Sequence, residues 1–476
     1  MVKYLKRIFK VGLRIMSLLI KNGTIVTASD IYNGDIYIEK GKISEIGLQI
    51  SKEADEIIDV KGKYVIPGGV DVHTHFNLDV GIAVANDDFY TGTLAAACGG
   101  TTTVVDHMGF GPKGCNLKHQ VDIYHKYADD NAVIDYSFHG VIQHINEDIL
   151  EEMRNIVEDE GISSFKAYLT YDYKIDDEDM VKIFKKLQEL GGITTVHCEN
   201  HGAIKYLRDK YIKEGLKSSI YHCLSRPEES EGEAINRMIN IAKIAENSPL
   251  YIVHLSTKLG LDYIKMARER GQKIYAETCP QYLILDKSRY ELDNNEGLKY
   301  IMSPPLRERY NCEELWKGIN EGYIQTIATD HCPFSFSKDK QLGKDDFTKC
   351  PNGAPGVEER IPLIFSEGVM KGKISINKFV EVCSTNPAKI FGLYPKKGTI
   401  QVGSDGDLVV IDPNKEVTLT KDKLHSNVDY TAYEGIKVKG YPIITISNGE
   451  VIYNEEKFKG EKGRGRFIKR YKANLI

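Results

Sequence analysis

The 476-residue sequence predicts an α/β chain: a parallel (β/α)8 barrel of the TIM type, joined to a small β-sandwich domain built from both chain ends. Three observations carry this. Apolar, β-branched runs alternate with amphipathic helical stretches through the middle of the chain, short strand-and-turn patterns occupy both ends, and ionisable residues recur where the apolar runs stop.

The first end, residues 16–67, reads as strands broken by turn signals at Asn22-Gly23 and Lys40-Gly41. The other end answers it with Asp407–Asp412 and Ile444–Ile452, the latter folded at Asn448-Gly449. Residues 16–67 and 394–476 are therefore assigned to the β domain and 68–393 to the barrel. Eight candidate barrel strands follow in order: Gly69–His75, Thr102–Asp106, Val133–Phe138, Ser163–Tyr168, Ile193–His197, Leu250–His254, Lys273–Glu277 and Gln325–Asp330. Between them, Asp176–Leu190 opens with acids and spaces Met180, Phe184 and Leu187 at helical intervals before Gly191-Gly192. Arg226–Asn247 starts with Pro227 and glutamates and stops before Pro249, so both read as helices with favourable ends.

Residues 1–15 are basic and loosely amphipathic, without the continuous apolar stretch of a signal peptide, and read as an upstream extension with Met16 as the working start. No apolar run reaches the roughly 20 residues a membrane helix needs. A formal charge of −5 offers no general attraction to nucleic acid or anionic membranes, which leaves a small-molecule partner. Nine cysteines without a CxxC pair suit reduced thiols and a cytoplasmic location.

Chemistry concentrates at the strand ends. His73 and His75, one residue apart on a strand, point the same way and can grip one ion, while Thr74 turns away. His197, His254 and Asp330 each end a further apolar run, and in a barrel of this kind such ends share one rim. Lys166 lies within the apolar strand Ser164-Phe165-Lys166. Burial beside cations lowers an ammonium pKa, and the neutral amine can take up carbon dioxide to form an anionic carbamate able to bridge two metals. An unmodified Lys166 paired with Glu199 is the structural alternative.

The set His73-Thr74-His75, Ser164-Phe165-Lys166, His197-Cys198-Glu199-Asn200, His254-Leu255-Ser256, Glu277-Thr278-Cys279-Pro280, Ser303-Pro304-Pro305-Leu306-Arg307 and Thr329-Asp330-His331 resembles the amidohydrolase superfamily. More narrowly, it resembles the dihydropyrimidinase/D-hydantoinase cyclic amidases, over about residues 17–460. The resemblance implies two divalent ions, zinc foremost. His73, His75, N6-carboxylated Lys166 and Asp330 would hold the more buried one, and Lys166, His197 and His254 the other. It implies a metal-bridging hydroxide that opens dihydropyrimidines or 5-substituted hydantoins to N-carbamoyl amino acids, with Asp330 as general base and acid and Tyr171 as oxyanion donor. Ser303 and Asn352 would hold the ring amide through backbone groups, and Leu78, Val80, Tyr168 and Ile175 would meet its 5-substituent. A homotetramer is the family's usual assembly, and the basic tail Lys457–Lys472 reads as an inter-subunit arm or a solvated end. Asn77 stands where dihydroorotases carry a carboxylate-binding Arg, which disfavours that activity. An allantoinase-type hydrolase of cyclic ureides is the alternative, and a non-catalytic scaffold is the less favoured third reading, because all six ligand positions are filled.

Overall fold

The computed structural model describes residues 17–470, 472 and 473, so the expected extension at 1–15 lies outside the described residues. The chain opens with β1 (Ser17–Val26), β2 (Ile31–Glu39), β3 (Lys42–Gly47), β4 (Glu56–Asp59) and β5 (Tyr64–Pro67). Eight strands follow: β6 (Gly69–Thr74), β7 (Thr101–His107), β8 (Asp135–Val141), β9 (Ser164–Tyr168), β10 (Ile193–His197), β11 (Leu250–Ile252), β12 (Ile274–Thr278) and β13 (Thr326–Ile327). The last group is β14 (Leu408–Thr418), β15 (Lys437–Ser447), β16 (Glu450–Asn454) and β17 (Lys457–Phe458).

Strands from both termini form one mixed sheet in the order β17-β16-β15-β14-β5-β1-β2-β3, with β4 also on β1. Asn22-Gly23 is not a turn between strands. It is a bulge inside β1, with Asn22 at φ 60°, and β4 pairs with β1 before it while β5 pairs after it. The sheet curls around its own core of Leu18, Ile20, Ile36, Ile43, Val65, Leu408 and Ile446. Ile43 and Gly403 tie β3 back to the approach to β14. The Asn448-Gly449 hairpin forms as expected, both residues taking positive φ.

The second sheet is the barrel, β6 to β13 in sequential parallel order. Its interior is filled by Val70, Val72, Val105, Tyr251, Val253 and Tyr275, with Phe391 and Ile468 packed against them. Helices cover the outside. In Asp177–Glu189 the Asp176 side chain accepts from Asp179 N at 2.9 Å, three acids follow in the first turn, and Met180, Ile183, Phe184 and Leu187 are buried. Truncating Phe184 to Ala would cost about 3–5 kcal/mol.

Closure is unusual in its means. At the seam between β13 and β6 a single bridge, Thr74 with His331, takes the place of a ladder. Side chains complete the join. Thr329 donates from N (3.2 Å) and Oγ1 (2.7 Å) to the two Asp71 oxygens. The fully buried Arg360 donates to Val70 O, Ile327 O, Cys383 O and Thr101 Oγ1 at 2.9–3.2 Å.

The tail is solvated in part, with Lys457, Lys459, Lys462, Arg466, Lys469 and Lys472 exposed, but its stretch 466–470 is anchored to the barrel. Tyr136 N donates to Arg466 O and Ile468 N to Tyr136 O, so residues 466–468 lie along β8. Arg470 is fully buried and donates to Ser137 Oγ (2.8 Å), Phe391 O (3.2 Å), Ser164 Oγ (3.1 Å) and Phe138 O.

Candidate active site

His73 and His75 leave β6 on one side: His73 Nε2 and His75 Nε2 both lie 3.1 Å from Asp330 Oδ1, while Thr74 Oγ1 donates to Asp106 at 2.7 Å. The predicted alternation therefore holds. These three residues form a cluster whose ligand atoms lie within 4.8 Å of one another, enough to hold a metal ion. Burial and Lys166 push the His73 pKa down, but Glu277 and Asp330 outweigh them and raise it. Burial takes His75 down to about 4. Asp330, which burial would raise, is held well below the usual carboxylate range by His73 and His75.

Lys166 is 1% exposed, and its Nζ lies 3.5 Å from His73 Nε2. Desolvation lowers its pKa to about 8. It is not the partner of Glu199, because that carboxylate accepts from Arg226 Nη1 at 2.6 Å and faces His197 Nε2 at 2.8 Å. His197 Nδ1 is thereby turned to His254 Nε2, 2.9 Å away. Burial lowers both rings, His254 strongly, which keeps them neutral and able to donate to a cation. Tyr171 packs edge-on to His197 with ring centroids 5.4 Å apart. Its phenol is pushed up to about 12 by burial, with Arg226 pulling the other way, so it stays a donor.

The sequence placed His254 and Asp330 on strands. Both instead sit just beyond shorter strands, at φ 41° and 54°, and Tyr171 takes φ 70°. The ladders end earlier, at Tyr168, Ile252 and Ile327, and a left-handed residue beyond them cannot continue the strand.

Ser303 precedes a cis proline and is 7% exposed. Gly353 N donates to Ile301 O and Cys332 N to Ala354 O, both at 3.0 Å, which brings the Ser303 and Asn352 segments together beside the residues after Asp330. Leu78 lies against Gly109, and Phe110 packs on Tyr168 (5.1 Å) and Tyr173 (4.5 Å), while Ile175 is buried and Val80 exposed. Asn77 acts locally, its Oδ1 accepting from Phe89 N at 3.1 Å, at the start of helix Phe89–Cys98.

Sequence reasoning missed several partners. Glu277 holds His73 Nδ1 and accepts from His254 N (3.1 Å) and Tyr251 OH (2.9 Å). His107 is buried 4.3 Å from the His73 ring and 4.1 Å from His139. It ends Val104-Val105-Asp106-His107, the same signal as the other histidines, one residue past the predicted strand end.

Histidines and a carboxylate converging at the carboxyl ends of parallel strands define a (β/α)8 hydrolase with a metal-type centre. Residues 64–452 match the Amidohydrolase family. D-phenylhydantoinase of Escherichia coli strain K12 is 54% identical over 456 residues, 96% of this chain and 98% of that one. Among solved structures, a D-hydantoinase aligns at TM-score 0.94 and 46% identity, covering 96% of this chain and 99% of that one. Dihydropyrimidinase from Brevibacillus agri NCHU1002 aligns at 0.94 and 45%, with the same coverage. L-hydantoinase from Arthrobacter aurescens aligns at 0.87 and 31%, covering 95% and 99%. The chain belongs to the amidohydrolase family and is one of its cyclic amidases. No helix among the described residues is long and apolar enough to cross a membrane.

Proposed function

We propose that the protein opens 5-substituted hydantoins, and the related dihydropyrimidines, to N-carbamoyl amino acids, with an aryl or alkyl group accepted at the 5-position. The observation that carries this is the run of Leu78, Phe110, Tyr173 and Tyr168, the last stacked on His197 with ring centroids 5.8 Å apart. The names of the D-phenylhydantoinase and D-hydantoinase relatives support an aryl group and the D configuration.

The residues fit a pair of divalent ions, most simply zinc. Nitrogen and carboxylate donors suit such ions: His73 Nε2 and His75 Nε2 converge on Asp330 Oδ1, each 3.1 Å away, and His197 Nδ1 and His254 Nε2 face one another at 2.9 Å. Glu277 on His73 and Glu199 on His197 supply the carboxylate that typically orients a ligating imidazole. His73, His75, Asp330 and carboxylated Lys166 would hold one ion, and Lys166, His197 and His254 the other. Bound ions would supply Lewis acidity and an acidified water. Asp330, anionic and beside His73 and His75, accepts a proton and returns it to the leaving ring nitrogen. Tyr171 donates its phenolic hydrogen to the oxygen that becomes negative. The rigid turns at Ser303 and Asn352 offer fixed backbone groups to the ring amide. The test is a substrate panel with product chirality: opening of D-5-phenylhydantoin and dihydrouracil is expected, and faster opening of allantoin than of both would refute the reading. Fewer than one zinc per chain in fully active protein would refute the binuclear site.

A further inference from the structure

His331 follows Asp330 and is fully buried, as is Asp87. Every polar atom of His331 is engaged. Its N donates to Thr329 Oγ1 (3.3 Å), and its O accepts from His75 N (2.9 Å). Nδ1 accepts from Gly356 N (3.1 Å) and Val357 N (3.2 Å), so it carries no hydrogen, and Nε2 must donate to Asp87 Oδ2, 2.9 Å away. The other Asp87 oxygen accepts from Asn427 N at 2.9 Å, while Asn427 Nδ2 donates to Asn86 O at 3.0 Å. Asn427 thus fixes the Asp87 side chain from a segment far along the chain.

The two ends of this chain of bonds lie on different walls of the site. Gly356 and Val357 close the turn that carries Asn352, the element proposed to meet the ring amide. Asp87 closes the loop that begins at Leu78, held by Ala85 N to Leu78 O (2.8 Å) and Val80 N to Ala83 O (3.0 Å). We infer that His331 and Asp87 are positioning residues: their cross-link sets the distance between the wall that meets the 5-substituent and the turn that holds the ring. The inference rests on the proposed reading of the site as one for 5-substituted rings. A ring that fills both walls depends on their spacing, whereas an unsubstituted ring uses only the turn.

Three variants separate the arms. His331→Asn places an amide oxygen near the Nδ1 position and keeps the turn while losing Asp87. His331→Gln places an amide nitrogen near Nε2 and keeps Asp87 while losing the turn. Asp87→Asn keeps its shape but can accept from only one of its two donors. KM and kcat are measured for D-5-phenylhydantoin and dihydrouracil, alongside zinc content and melting temperature. In His331→Asn and Asp87→Asn the KM for phenylhydantoin is expected to rise about ten-fold, the scale of one lost hydrogen bond to a charged group, with kcat within about three-fold and dihydrouracil little changed, whereas His331→Gln, which frees the turn that holds every ring, is expected to raise the KM for both rings. An equal KM rise for both rings in His331→Asn or Asp87→Asn, a fall in kcat alone, or an effect in only one His331 variant would overturn the inference. If one His331 variant fails to fold, Asp87→Asn carries the same expectation. Wild-type protein that opens dihydrouracil and not phenylhydantoin would instead overturn the substrate reading, and the inference with it.

Discussion

Lys166 offers the sharpest test of how the centre is assembled. Its folded pKa of about 8, against 10.5 for an unperturbed lysine amine, arises from burial. At pH 7 the neutral, carbon-dioxide-reactive fraction is then roughly a tenth, about 300-fold more than for a free lysine. Protein stripped of metal and bicarbonate should regain activity on addition of zinc only when bicarbonate is supplied. The rate of recovery should rise with pH and level off above about 8. Lys166→Met fills the same space without an amine. It should bind zinc weakly and lose about a thousand-fold in kcat, the equivalent of ~4 kcal/mol of Lewis-acid stabilisation. The same shift has a sign in stability. The metal-free fold disfavours charged Lys166, so it should gain up to about 3 kcal/mol as pH rises from 8 to 10.5, and Lys166→Met should lack that gain in urea titrations. Recovery independent of bicarbonate, or a methionine variant retaining a tenth of wild-type kcat, would refute the reasoning.

Tyr171→Phe should lower kcat by about a hundred-fold with little change in KM, read from steady-state kinetics. Glu277→Gln should weaken zinc binding about 10–100-fold in competition with a chelator, because the His73 ring loses its carboxylate. Glu199, raised by burial but held down to about 2 by Arg226 and His197, contributes stability above its unfolded pKa of about 4.5 that is lost as pH falls through 2. Arg226→Met should therefore destabilise the neutral-pH fold by about 3–5 kcal/mol, measured by chemical denaturation, and flatten that acid transition.

Much of the centre could be read from the chain because one rule repeats: an apolar run buried on both faces has no reason to end in a histidine or aspartate unless the rim needs it. That rule found His73, His75, His197, His254 and Asp330, and Lys166 stood out as a charge within such a run. What escaped it was geometry with no local signature. The left-handed turns at Tyr171, His254 and Asp330 are imposed by the surrounding fold: tyrosine has no preference for positive φ, and histidine and aspartate, though enriched there, adopt it too seldom to mark a position. Asn22-Gly23 carries a strong turn signal, but strands on both sides of β1 kept the chain extended and left a bulge. Glu277, Arg360 and His331 act on residues hundreds of positions away, beyond any periodicity. The tail's basic residues look like a solvated end, and only its alignment with β8 reveals that Arg470 caps buried carbonyls.

That tail has a consequence for how the molecule is made. Arg470 meets Ser137 across 333 residues of sequence, and Ile468 packs into the same core as β6 and β7. During synthesis, β6 to β13 emerge well before the segment that closes the barrel's floor. A nascent barrel must wait with an open base, and the terminal sheet waits with it, because β14 is β5's partner in the ladder. Such long-range closure slows folding and prolongs exposure of apolar surface. Residues 466–470 thus close a barrel whose strands emerge long before them, and a ribosome-stalled chain ending before residue 466 should remain protease-sensitive throughout the barrel.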